Sequence, residues 1–219
     1  MRTFLCAAMT LLVVGIAQAD EKNVETIVED WVKAQENLVD VLKSIQDQPT
    51  AQAALPKLTE LDRILRERRE AVKKSGPDVE MDMPEKLGKR LENAKRQWHE
   101  EYKRLNGVNE AYLVLKDNSL IKAMQQDAER RAKTGVNDLQ IGVLQFKLKY
   151  LKYPDELDEL VSPPNGRAYV SVESLFDPFG RKYQYDMKGP KNGGLKPDIW
   201  SLGPRHLKDA IIGNWVEKK

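Results

Sequence analysis

Apolar residues recur at three- and four-residue steps through most of the chain, and the pattern changes only near the C-terminus. Ile27, Trp31, Leu38, Val41, Leu42 and Ile45 define an amphipathic helix over 25–45. Asp47-Gln48-Pro49-Thr50 interrupts it, with Thr50 expected as the N-cap of the next helix. Ala53, Ala54, Leu58, Leu61, Leu65 and Val72 carry that second helix to Lys74, with Pro56 in its first turn or at a kink. Asp78 to Pro84 reads as a loop whose Val79, Met81 and Met83 dip towards the core. A third helix with a thin apolar face (Leu87, Leu91, Ala94, Trp98, Leu105) is expected over 84–105, capped by Asn106-Gly107. A fourth begins near Asn109 and is interrupted at Asp117-Asn118-Ser119. Residues 121–152 then predict one continuous or gently kinked helix with Leu139, Val143, Phe146 and Tyr150 on one face. In that helix Gly135 costs roughly 1 kcal/mol against alanine, and Tyr153-Pro154 ends it.

Beyond that point the period shortens. Leu157 and Leu160 mark a short helical turn, and Asp177-Pro178-Phe179-Gly180 is a turn in which proline fixes φ and glycine accepts a positive one. Arg181 to Asp186 alternates as a half-buried strand with Tyr183 and Tyr185 on one face. Lys188 to Lys196 is a glycine-rich connection, and Ile199 to Leu202 is the returning strand. Such a hairpin needs a partner for its aromatics, and the preceding helix supplies one. The fold class is therefore α+β: an antiparallel helical bundle over 20–134, then a domain over 135–219 in which a long helix packs on a small antiparallel sheet of three or four strands.

The order of Tyr153-Pro154, Asp177-Pro178-Phe179-Gly180, Tyr183-Gln184-Tyr185, Asp198-Ile199-Trp200-Ser201-Leu202-Gly203 and Ile212-Gly213-Asn214-Trp215 resembles the globular domain of the major pseudopilin of type II secretion, protein G of that system. The resemblance covers roughly residues 135–216 and implies a protein-binding, non-catalytic domain. It also implies a departure: members of that family carry a short basic leader and an apolar helix that inserts in the inner membrane and packs the filament. The bundle region resembles only weakly, through Leu42 to Asp47 and Ala51 to Leu58, uncharacterised exported bacterial helical domains.

Residues 1–19 read instead as a secretory signal peptide, with Arg2 as the charged start, Phe4 to Ala17 as the apolar core and Ala17-Gln18-Ala19 as the cleavage site. The alternative is a membrane anchor, but the apolar run falls short of the roughly 20 residues that span a bilayer. The expectation is thus an exported protein, periplasmic or secreted, with no stable membrane span after cleavage. Cys6 lies within this segment, so the mature chain would hold no cysteine nucleophile and no disulfide. A formal charge of +2 excludes a field suited to nucleic acid. The Arg63–Lys74 stripe is interleaved with acids, and residues 20–134 hold 22 basic against 23 acidic side chains, as a salt-bridged helix surface does.

Few residues offer chemistry. The resemblance implies a calcium loop after Gly203, but Pro204-Arg205-His206 replaces its acidic part and Asp209 stands about two positions out of place. No metal and no cofactor is expected. His99 and His206, the two histidines, lack a metal-ligand spacing and read as solvated or core-edge side chains. Ser201 sits on a strand rather than a nucleophile elbow, and the acid pairs Asp155/Glu156 and Asp158/Glu159 read as solvated surface. No catalytic, cofactor-binding or metal residues are therefore assigned. The leading expectation is an exported interaction or scaffold protein with an unidentified protein partner. The alternatives are a glycan- or ligand-binding module using Tyr169, Phe179, Tyr183 and Trp200, an accessory component of a type II secretion apparatus, and, last, an enzyme.

Overall fold

A computed structural model describes residues 25–74, 83–207 and 210–216. The signal segment, most of the loop expected at 78–84, and Asp209 lie outside the described residues. Among the described residues, those up to Ser44 and from Ala53 to Trp98 form one compact unit; Ile45–Gln52 and those from His99 onward form a second.

In the first unit, a helix over 25–43 (α1) is followed by α2 (Gln48–Lys74) and the start of α3 (Glu85–Gly107). Val28, Trp31, Val32, Leu38, Leu42, Leu58, Leu61, Leu65, Leu87 and Leu91 fill its interior at the helical spacing read from the sequence. Arg90 forks onto Glu36 through two bonds of 2.9 and 2.7 Å, and Lys43 reaches Gln97 at 2.7 Å, so α1 and α3 run side by side in one direction. The basic stripe of α2 is paired as expected: Arg63 with Glu60 and Glu67, Arg66 with Asp62, Arg68 with Asp30.

Three local expectations change. The cap of α2 is Asp47, whose carboxylate accepts from the Thr50 amide at 2.9 Å; Thr50 is inside the helix and its hydroxyl accepts from the Asp47 amide at 3.0 Å. This is a reciprocal capping box with the two roles exchanged. Pro56 lies within α2, past its first turn. Gly107 keeps helical backbone, and the break falls at Val108 (φ −100°, ψ 80°) before α4 (Asn109–Leu115).

The second unit is organised by α5 (Ser119–Tyr150), a single helix that passes through Gly135 without interruption. Asn118 caps it by accepting from the amides of Leu120 and Ile121, and Leu151 ends it in the left-handed region. Val136, Leu139, Val143 and Phe146 pack with Leu157, Leu160, Leu175, Tyr183 and Ile199 in one core. The sheet is shorter than read: β1 (Gln184–Asp186), β2 (Asp198–Ser201) and β3 (Ile212–Gly213), antiparallel in the order β1-β2-β3, with Tyr185 opposite Ile199 and Trp200 opposite Gly213. Residues 181–183 stay outside the ladder except for a bridge from Lys182 to Phe176.

Gly135 has a packing reason. A Cβ there would stand 2.2 Å from the Tyr183 hydroxyl oxygen, which donates to the Ala132 carbonyl at 3.2 Å. Gly135→Ala is therefore expected to destabilise by about 1–2 kcal/mol, the overlap outweighing the helix propensity gained. Tyr183→Phe should recover part of that loss in a double-mutant cycle read by denaturant unfolding. A stabilised Gly135→Ala protein would contradict this packing.

Candidate interaction surfaces and buried polar networks

The polar residues shared by the sequence motifs are used internally. Asp177, 2% exposed, accepts from the amides of Phe179 (3.0 Å) and Arg181 (2.8 Å) with one oxygen and from the Ser201 hydroxyl (2.6 Å) with the other. The Ser201 oxygen in turn accepts from the Gly203 amide at 2.9 Å. Ser201 is thus a relay between turn and strand. Asp198 accepts from the amides of Lys191 and Asn192 and holds the 3-10 turn Pro190–Asn192. Asn214 accepts from the Ile199 amide (3.1 Å) and from Asn192, and donates to the Pro197 carbonyl (2.9 Å) and Gln140. Each motif therefore ties β2 to a neighbouring turn or to α5.

The aromatics considered for glycan binding are largely interior. Phe179 and Tyr183 are 1% and 4% exposed, Tyr169 packs on Phe146, and Trp200 meets Trp215 edge-on at 6.0 Å. Phe179 and Tyr183 are thus core residues, whereas Tyr169 and Trp200 are half-buried. The acid pairs stay at the surface: Asp158 pairs with Lys182, and Glu159 accepts from the Asp155 amide.

A cleft of about 340 Å³ is lined by His99, Glu100, Lys103, Arg131, Phe176 and Pro178, among others. His99 Nε2 is 3.1 Å from Asp127, so with the imidazole neutral its Nε2–H donates to the carboxylate. Arg130 and Arg131 also converge on Asp127. Burial and then the Arg131 charge push the His99 imidazole down, against the pull of Asp127. For Asp127, burial acts upwards but is outweighed by its bonds from Arg130 and His99, so the carboxyl lies below its ordinary value. No serine, threonine or cysteine lines this cleft among the described residues.

His206 stacks on Tyr112 with centroids 4.2 Å apart, and burial and Lys116 push it down as well, with Glu129 opposing. Both histidines are held below the ordinary imidazole value, so the unfolded chain binds more protons in the window just beneath it. Their contribution is full above that value and is lost as the pH falls through the window. Stability is expected to decline from about pH 7.5 to about pH 5, less steeply in His99→Gln. Imidazole proton shifts titrating above the ordinary value would contradict both assignments.

The largest feature missed by the sequence reading is a second apolar face of α5. Ile141 (54% exposed), Leu144 (41%) and Leu148 (80%) follow a 3-4 spacing and form a ridge turned to solvent, and exposed Leu151 (88%) follows just past the helix end. The spacing is the one by which a helix meets another helix, and it was present in the sequence beside the buried set. Its flanking positions are Gln140 and Lys147 on one side and Gln145 and Lys152 on the other.

Residues 119–215 match the family model of type II secretion system protein G. The match opens at the first residue of α5 and closes at Trp215, so it contains the helix, the sheet and the networks of Asp177, Asp198 and Asn214. No curated protein and no solved structure matches the chain. The family is structural rather than catalytic and belongs to an envelope or exported setting. No helix among the described residues is long and apolar enough to cross a membrane. The C-terminal part of this chain, over residues 119–215, is thus similar to type II secretion protein G and pseudopilin-like in its fold.

Proposed function

We propose that this is an exported, non-catalytic interaction protein with a helical bundle over 20–134 and a pseudopilin-like head, residues 135–219, that engages a helical protein partner. The ridge Ile141–Leu144–Leu148–Leu151 carries this reading. Three apolar side chains at coiled-coil spacing, with Leu151 just past the helix end, are left in water and favour association. The flanks hold Gln and Lys and no acid, so two copies would set lysine against lysine in parallel register. The partner is an amphipathic helix with acidic flanks.

A synthetic three-heptad peptide with Leu at a and d and Glu at e and g tests it by fluorescence anisotropy. The peptide should bind the mature protein, weaken with salt, and lose at least tenfold in affinity to Leu148→Glu. A peptide with Lys at e and g should not bind. Equal binding of both peptides, or binding indifferent to Leu148→Glu, would sink the reading.

A further inference from the structure

The resemblance implies calcium in the loop that follows Gly203, a site built from oxygen ligands around a cation. The residues present do not fit one. The Arg181 guanidinium donates through Nη2 to the Gly203 carbonyl, so the oxygen at the loop's entry already faces a positive charge. Arg181 Nε is buried without a partner, and burial, with Arg205 adding to it, pushes the guanidinium down against the pull of Asp177. A divalent ion at that carbonyl would stand against the guanidinium in a partly desolvated place, where like charges repel strongly.

The loop has other fixings in place of a metal. Gly203 (φ 72°) lies so close to Ala210 that a Cβ would fall 2.1 Å from the Ala210 carbonyl oxygen, which closes the neck of the loop. Within it, the Arg205 amide donates to the buried Asn106 side chain at 3.2 Å, and His206 stacks on Tyr112.

We infer that Arg181 is a built-in cation that holds the Gly203 carbonyl in place of calcium, with Asn106 and Tyr112 seating Arg205 and His206, so that this head is held together independently of calcium. Arg181 is anchored by its own turn, since its amide donates to Asp177 and its carbonyl accepts from the Asp177 amide at 2.7 Å.

The test uses the full mature protein with millimolar calcium or with chelator. Amide exchange across 203–207 and 210–213, the thermal midpoint, and terbium luminescence sensitised by tryptophan are read in both. The expected result is identical exchange and midpoint in the two conditions and no sensitised terbium. Arg181→Ala should speed exchange in the loop by about tenfold or more, as loss of a charged hydrogen bond does, with no rescue by calcium. Arg181→Lys should recover part of the protection. Slower exchange or a higher midpoint with calcium in the unaltered protein, saturable terbium luminescence, or unchanged exchange in Arg181→Ala would each overturn it. The measurements on the unaltered protein stand even if the alanine variant fails to fold.

Discussion

Asp177→Ala is expected to destabilise the C-terminal domain by about 3–5 kcal/mol, the largest loss from any single polar substitution described above. The carboxylate is buried and accepts three hydrogen bonds, two from backbone amides of its own turn and one from Ser201. Removing it leaves two amides and a hydroxyl without an acceptor and frees Arg181 from its turn. The hydroxyl can rotate towards another acceptor, but the amides cannot. Asp177→Asn keeps one acceptor oxygen and nearly the same volume, so it should lose clearly less. Urea unfolding followed at Trp200 and Trp215, with exchange of the β2 amides as the local readout, distinguishes the two. A loss below about 0.5 kcal/mol in Asp177→Ala, the size of an ordinary surface substitution, would show that the network is not holding the domain.

Asp198→Ala comes second, at about 2–4 kcal/mol. Asp198 is 1% exposed, and its oxygens collect the amides of Lys191 and Asn192 and the Asn192 side chain. The connection between β1 and β2 is built from Gly189, Gly193 and Gly194, all at positive φ, so its own backbone preferences do little to fix it. Without Asp198 the Asn192–Asn214 link should also loosen, and with it the pairing of β3. Fast exchange over 188–196 together with loss of protection at Ile199 is the expected signature. Fast exchange confined to 188–196 would place Asn214 outside the network.

Much of this architecture was legible in the sequence because it rests on local chemistry. The Asp-Pro-Phe-Gly turn, the glycine-rich connection and the apolar face of α5 all follow from residues within a few positions of one another. The continuity of α5 through Gly135 also followed, although the reason for a glycine there, the Tyr183 phenol, comes from far along the chain. Other features depended on information that spacing does not hold. Asp47 and Thr50 can each cap, and only the backbone of the three-residue step between them decides which one does. The ridge of α5 was hidden because a helix apolar on two faces has a blurred period, and the buried set accounted for the pattern by itself. Arg181 and Gly203 meet across 22 positions, a pairing that only the sheet brings about. The His99–Asp127–Arg131 group likewise joins α3 to α5 through tertiary packing.

On the proposed reading, the outward ridge of α5 meets an acidic helix in the cell. Site-specific photo-crosslinking tests it most directly, with the reactive amino acid at 144 or 148 and, as a control, at exposed position 126. The expected result is one discrete adduct from 144 and 148, absent from 126 and abolished by Leu151→Glu, with the linked peptide mapping to an amphipathic helix whose apolar positions are flanked by Asp and Glu. No adduct from either ridge position, or one equally strong from 126, would contradict it.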